Sequence, residues 1–288
     1  MKFNISHLTK YKYASEIADS VNEIRLTPRT NTHQTCLQSR ITTSPQAPIY
    51  TYEDYFKNLV YSFSVADPHT LLTIHSESIV VTSNEEPVIK SVLTGAQELE
   101  ELASERFLDD YAEYLHPSEY TPITPDISQM ASQFEASHTF ASLADKLTAL
   151  TAQIKNDFTY DPSATQVQTK IDEMIQLRRG VCQDFAHLMI ALCRTMGIPA
   201  RYVSGYQYIT DINGGNADFE QASHAWVEAY IPGVGWTGFD PTNNVPINWR
   251  YIILAYGRDY KDIVPVKGIY HGTPQQKLDV IVDVRQIN

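Results

Sequence analysis

The stretch Gly180-Val181-Cys182 places a thiol where one helical pattern stops and the next begins. Three cysteines occur in the 288 residues: Cys36, Cys182 and Cys193. A structural thiol belongs mid-helix on an apolar face, and Cys193 reads that way. Cys182 instead falls in the first turn of a helix predicted for "CQDFAHLMIALCRTM", beside unpaired N–H groups and the positive end of the helix dipole. Both favour the thiolate, which is the nucleophilic form. The competing reading is a small apolar residue that continues the stripe Phe185, Ala186, Met189, Leu192, Cys193 and Met196.

Downstream, "SHAWVEAYIPGVGWTGFDPTN" reads as two strands joined around Pro232-Gly233-Val234-Gly235, with His224 opening the first and Asp240 closing the second. In an antiparallel hairpin those two ends are neighbours. A thiol on a helix start, an imidazole on a strand and a carboxylate on the adjacent strand make a Cys182-His224-Asp240 triad. Side chains alternate faces along a strand, so Asp240 shares a face with His224 only if the turn is odd in length or bulged. Taken singly, His224 also reads as a surface strand residue and Asp240 as the start of an Asp-Pro turn.

The chemistry of such a triad is acyl transfer. His224 takes the proton of Cys182, sulfur attacks an amide carbonyl, and His224 returns a proton to the leaving amine. The oxyanion needs preorganised donors. The Cys182 backbone N–H is one, and the Tyr160 hydroxyl in "FTYDP" is a candidate second, with packing as the alternative. Trp226, two residues after His224, is a candidate lining for the acyl channel, or else core. Asp184 is a second channel candidate, or else a first-turn acid favoured by the helix dipole.

The surrounding elements suggest an α+β protein. Residues 1–86 carry short Thr-, Tyr-, Val- and Ile-rich segments bounded by Pro, Asn or Asp, as in an antiparallel sandwich. A boundary at Glu85-Glu86-Pro87 leads into a helical connecting region, 87–140, with one long helix predicted before Pro117. Residues 141–265 form the catalytic core. There Ser142 and Asp145 have capping-box spacing, and a helix over "KIDEMIQLR" runs from a Thr169 cap to a stop at Gly180. The long helix from Cys182 ends at Gly197-Ile198-Pro199. Residues 266–288 read as a C-terminal strand segment.

Composition removes other classes. Twenty-two basic against 34 acidic residues give a net charge of −12 with no long Lys/Arg cluster, so neither nucleic acid nor an anionic membrane is an expected partner. Cys182 and Cys193 sit roughly 16 Å apart on one helix, too far for a disulfide. No zinc spacing occurs, and no metal or cofactor is expected. "DINGGNADFE" faintly resembles a calcium loop, but an alanine stands where the bidentate Glu would fall. It reads instead as a hairpin tip near the site. The N-terminus lacks an apolar leader segment, which predicts a cytoplasmic protein.

"GVCQDFAHLMIALCRTMGIPARYVSGY", "SHAWVEAYIPGVGWTGFDPT" and the upstream "FTYDP" resemble, in their order along the chain, the core of the bacterial transglutaminase-like superfamily. The β N-terminal part and "GRDYKDIVPVKGIYHG" resemble its other regions, so the likeness spans essentially the whole chain. It implies a papain-like core, helices packed on an antiparallel sheet, with Cys182 as nucleophile, His224 as base and acid, and Asp240 orienting the imidazole. Members include amide-crosslinking enzymes and cysteine proteases, so a protein or peptide substrate is implied while water and amine both remain as acceptors. Two alternatives stand beside this: an N-acyltransferase using a thioester donor, and a non-catalytic protein-binding module on the same fold.

Overall fold

The computed structural model describes residues 1–84, 89–165, 169–209, 223–272 and 275–288. The Glu85-Glu86-Pro87 boundary and the "DINGGNADFE" loop lie outside the described residues.

The N-terminal sheet is organised by one strand. β1 (Lys2–Ile24) runs 23 residues and joins what the sequence suggests are separate short strands. Its first half pairs with β5 (His69–Thr82). Past a register shift between Lys12 and Ile17, its second half pairs with β4 (Leu59–Val65). β2 (Gln34–Ser44) borders β5 and β3 (Ile49–Glu53) borders β4. The β3–β4 turn is held by Asp54, whose carboxylate accepts from the Phe56 and Asn58 N–H groups while Lys57 takes φ 60°. The C-terminal segment belongs to this same sheet. β12 (Val266–His271) pairs with the second half of β1, and β13 (Gln276–Ile287) pairs along the first half from Lys2↔Ile287 to Tyr13↔Gln276.

The helical region differs from the single helix predicted there. It comprises α1 (Gly95–Leu102), α2 (Glu105–Asp110) and α3 (Ala112–Leu115). The break has a local cause: Ser104 accepts from the Phe107 N–H and so caps a new helix. α4 (Pro125–Ser137) was not anticipated, although Thr124 caps it, proline fills its first turn, and Ile127, Ala131 and Phe134 form its buried face. α5 (Leu143–Asp157) starts at Ser142, whose hydroxyl accepts from the Asp145 N–H.

In the core, β6 (Thr159–Tyr160) and β7 (Arg179–Gly180) form a short parallel pair. α6 (Ile171–Leu177) begins after Lys170, not at a Thr169 cap, and is stopped by Arg178 at φ 54°, not by Gly180. Gly180 has a different task. A Cβ there would lie 2.7 Å from Asp184 Oδ2, so the glycine lets that carboxylate fold back over the helix start.

α7 (Cys182–Thr195) is the central element, and every residue from Gln183 to Arg194 is buried. Its amphipathic stripe therefore understates its burial. The polar members are satisfied, as buried polar groups must be: the Arg194 guanidinium donates to the carbonyls of Tyr114, Ala200 and Arg258, and His187 Nε2 accepts from the Tyr260 N–H. At its end the Gly197 N–H bonds Arg194 O and the Ile198 N–H bonds Cys193 O, with Gly197 at φ 73°: a Schellman close. α7 lies against an antiparallel sheet ordered β10 (Gly235–Phe239), β9 (Ser223–Ile231), β8 (Ala200–Gln207), β11 (Tyr251–Gly257).

β11 is an edge strand, and the N-terminal sheet covers that edge with side-chain amides. Gln34 donates to and accepts from the Ile253 backbone at 2.8 and 2.7 Å, and Asn58 does the same for Tyr256 at 2.7 and 2.9 Å. Edge backbone that would otherwise seek another strand is thereby satisfied. A buried bond of 2.7 Å between His7 Nδ1 and the Tyr206 hydroxyl joins the same two sheets. Among the described residues no helix is long and apolar enough to cross a membrane.

Candidate active site

The β9–β10 connection settles the face of Asp240. Gly235 pairs with Ile231 and Phe239 with Val227, leaving a three-residue loop, Pro232-Gly233-Val234. Val234 N–H closes on Ile231 O, with proline second and Gly233 at φ 76° third, as a type II turn requires. The strand pairs sum to 466, so one more residue would set Asp240 across from position 226. Residue 226 shares a face with His224, and Asp240 therefore does too. No bulge is needed.

The three side chains meet. His224 Nε2 is 2.8 Å from Asp240 Oδ2, and the Cys182 sulfur lies within electrostatic and hydrogen-bonding reach of the same ring. With Nε2 taken by Asp240, Nδ1 is the nitrogen left for sulfur. Burial works against charge on the His224 ring. The hydrogen bonds and negative charges of Asp240 and Cys182 outweigh it, and the pKa is raised to about 10. The ring thus stays an imidazolium at neutral pH. The other two thiols differ: burial raises Cys36, and burial pushes Cys193 up to about 12.

Asp240 is the best-supported group in the site. It is 0% exposed. Its Oδ2 accepts from His224, from the Tyr251 hydroxyl at 2.7 Å and from Asn243 Nδ2 at 2.9 Å. Its Oδ1 accepts the Thr242 and Asn243 N–H groups at 2.9 and 3.1 Å. Burial favours the neutral acid, yet these donors hold the carboxyl below its ordinary range. Tyr251 is itself oriented by Gln207 Nε2 at 2.9 Å. Asn243, Tyr251 and Gln207 were not anticipated from sequence. Asn243 lies in "DPTN" beside Asp240, whereas nothing local distinguishes the other two. Asp240→Ala is expected to lower unfolding free energy by about 3–5 kcal/mol, because it strands a buried cation. Urea denaturation measures this, and a loss under about 1 kcal/mol would sink the account.

For both channel candidates the structure takes the second of the two readings. Trp226 has no exposed surface. Its ring stacks on His224 at 6.1 Å and meets Tyr251 edge-on at 5.3 Å, so it backs the imidazole and lines no channel. Space for it comes from Gly205, directly opposite His224, where a Cβ would lie 2.5 Å from the indole. Asp184 is buried too, with Oδ2 accepting from the Val181 N–H at 2.8 Å and the Thr165 hydroxyl at 2.6 Å. It secures the start of α7 and leaves the Cys182 N–H unused by it. Tyr160 is 43% exposed and beside Gly180. Its hydroxyl pKa is raised by partial burial and by the nearby Cys182 sulfur, which keeps it a proton donor.

Residues 128–241, which hold all three meeting side chains, match the model of the transglutaminase-like superfamily core, and residues 3–81 match the bacterial transglutaminase-like N-terminal region. The chain belongs to the transglutaminase-like superfamily. An uncharacterized protein of Mycobacterium leprae is 37% identical over 286 residues, covering 99% of each chain. A protein-glutamine gamma-glutamyltransferase of Pseudomonas aeruginosa is 38% identical over 90 residues, 31% of this chain and 14% of that one. A solved structure from Cytophaga hutchinsonii, provisionally assigned as a cysteine protease, superposes with a TM-score of 0.78 at 25% identity, covering 100% of this chain and 91% of that one. The transglutaminase-like core thus carries its helices on the four-stranded sheet, and the family's N-terminal region is the β1 sheet. Among the described residues no group of three His, Cys, Asp or Glu side chains could hold a metal ion.

Proposed function

We propose that this protein is a cysteine-dependent enzyme that opens amide bonds, in a peptide or a glutamine carboxamide, through a thioester. The supporting observation is the buried His224–Asp240 ion pair in hydrogen-bond contact with Cys182. Reaction starts from the thiolate–imidazolium pair. Sulfur attacks the carbonyl carbon, and the oxyanion forms against the Cys182 N–H and the Tyr160 hydroxyl. His224 gives its proton to the leaving nitrogen, the C–N bond breaks, and the thioester remains. Water or an amine then attacks, His224 takes the incoming proton, and sulfur leaves as thiolate. Asp240 holds the ring throughout, with Tyr251 and Asn243 holding Asp240. The Pseudomonas relative is named a glutamyltransferase and the Cytophaga structure a cysteine protease, and a thioester resolved by amine or by water would serve either activity.

The test is incubation of a glutamine-rich protein such as casein with an amine probe, followed by mass spectrometry. Probe incorporation identifies a transferase, and new N-termini without incorporation identify a protease. Neither product, or the same products from Cys182→Ala, overturns the reading.

A further inference from the structure

One cavity beside the site has a composition that specifies an occupant. Its floor consists of facing pairs from the N-terminal sheet, His7↔Val282, Thr9↔Val280 and Tyr11↔Leu278, and its roof of Ser223, Tyr260, Pro265 and Val266. Three alternate pairs span four residue steps, roughly 14 Å, enough for about four or five residues of extended chain. The volume is about 440 Å³.

The groove reaches the proposed chemistry by two routes. Ser223 adjoins His224 in sequence. Tyr260 packs on Tyr202 at 6.3 Å, and Tyr202 also lies within electrostatic reach of the Cys182 sulfur. Among the described residues no Asp, Glu, Lys or Arg lines it, although the chain has a net charge of −12. His7, its one titratable imidazole, has a pKa lowered by burial to about 4 and is neutral. Leu278 is 50% and Val280 37% exposed, so apolar surface faces solvent inside the groove. That surface is open to a side chain entering the groove.

We propose that this groove binds an extended segment of the acyl-donor polypeptide and seats an uncharged apolar side chain near the attacked amide on Leu278 and Val280. The substrate class is then a protein or peptide with an apolar residue beside the reacting amide, not a free amino-acid amide. The N-terminal sheet is the specificity element, because it supplies the groove floor. This rests on Cys182 being the nucleophile, so the test separates the two claims.

Two sets of short peptide electrophiles serve as probes: chloromethyl ketones, which react at a main-chain carbonyl position, and diazo-oxo-norleucine peptides, which react at a glutamine side-chain position. Each set carries Leu, Phe, Asp or Lys next to the reactive residue. Labelling of Cys182 is followed by mass spectrometry, and every rate is divided by that protein's own rate with iodoacetamide. At least one set is expected to show a tenfold or greater preference for Leu and Phe over Asp. Leu278→Asp and Val280→Asp should each erase most of that preference, while Ile269→Asp, at a 72%-exposed position of β12 outside the groove lining, should retain it. Equal ratios in both sets, or a preference that survives both groove substitutions, overturn the groove. Failure of iodoacetamide to select Cys182 over Cys36 overturns the nucleophile instead.

Discussion

At pH 6, iodoacetamide is expected to alkylate Cys182 at least ten times faster than Cys36, and His224→Ala is expected to abolish that difference. A thiol of ordinary pKa near 8.5 is almost wholly protonated at this pH. His224, with its pKa raised to about 10, remains a cation against sulfur. Cys36 has only burial and a contact from its Sγ to Gln38 O at 3.4 Å. The same substitution should lower amide turnover by about 10²–10⁴-fold, the usual contribution of a positioned acid–base group. Equal labelling of the two cysteines at pH 6, or turnover within threefold of native in His224→Ala, would refute the assignment.

The second large effect is on stability. Burial lowers His7 to about 4, and burial, reinforced by Arg194, lowers His187 to about 3. Both rings titrate near 6.5 when the chain unfolds. Below pH 6.5 the unfolded state therefore binds two protons that the folded state refuses, and stability falls with falling pH. The slope near pH 5 is about 2.7 kcal/mol per unit, reaching a loss of about 6 kcal/mol by pH 4. His224 acts in the opposite sense. Its folded pKa lies above its unfolded one, so its stabilisation is complete below pH 6.5 and is lost as pH rises toward 10, at about 1.4 kcal/mol per unit. Stability should thus peak near pH 6.5, with the acid limb about twice as steep. Urea midpoints at half-unit pH steps measure both limbs. Constant stability from pH 6.5 to 5 would mean that the two imidazoles are not buried neutral.

Sequence reading grouped Cys182, His224 and Asp240, which the structure brings together, because each sits at an element end where its type is informative. Cys182 opens a helix, His224 opens a strand, and Asp240 follows a strand whose loop length sets its face. The supporting groups were hidden for physical reasons. Tyr251 and Gln207 act through hydroxyl and amide contacts 11 and 44 residues away in sequence, and those residue types are common in any strand. A strand pattern does not decide between channel and core for Trp226, because it shows that a side chain shares a face, not whether that face is open; Gly205 closes it by admitting the indole. Gly180 looked like a helix stop because glycine usually is one, but its missing Cβ makes room for Asp184. The docking of β13 on β1 joins positions 285 residues apart, a separation that no local pattern encodes.

That last pairing has a temporal side. A ribosome delivers β1 first, the thiol-bearing helix next and β13 after both, yet β1 pairs with β13 at twelve positions. Until residues 276–287 emerge, one long edge of β1 has no partner, and the floor of the groove lacks Leu278, Val280 and Val282. A nascent chain therefore has the Cys182 thiol before it has the surface proposed to select a substrate for it.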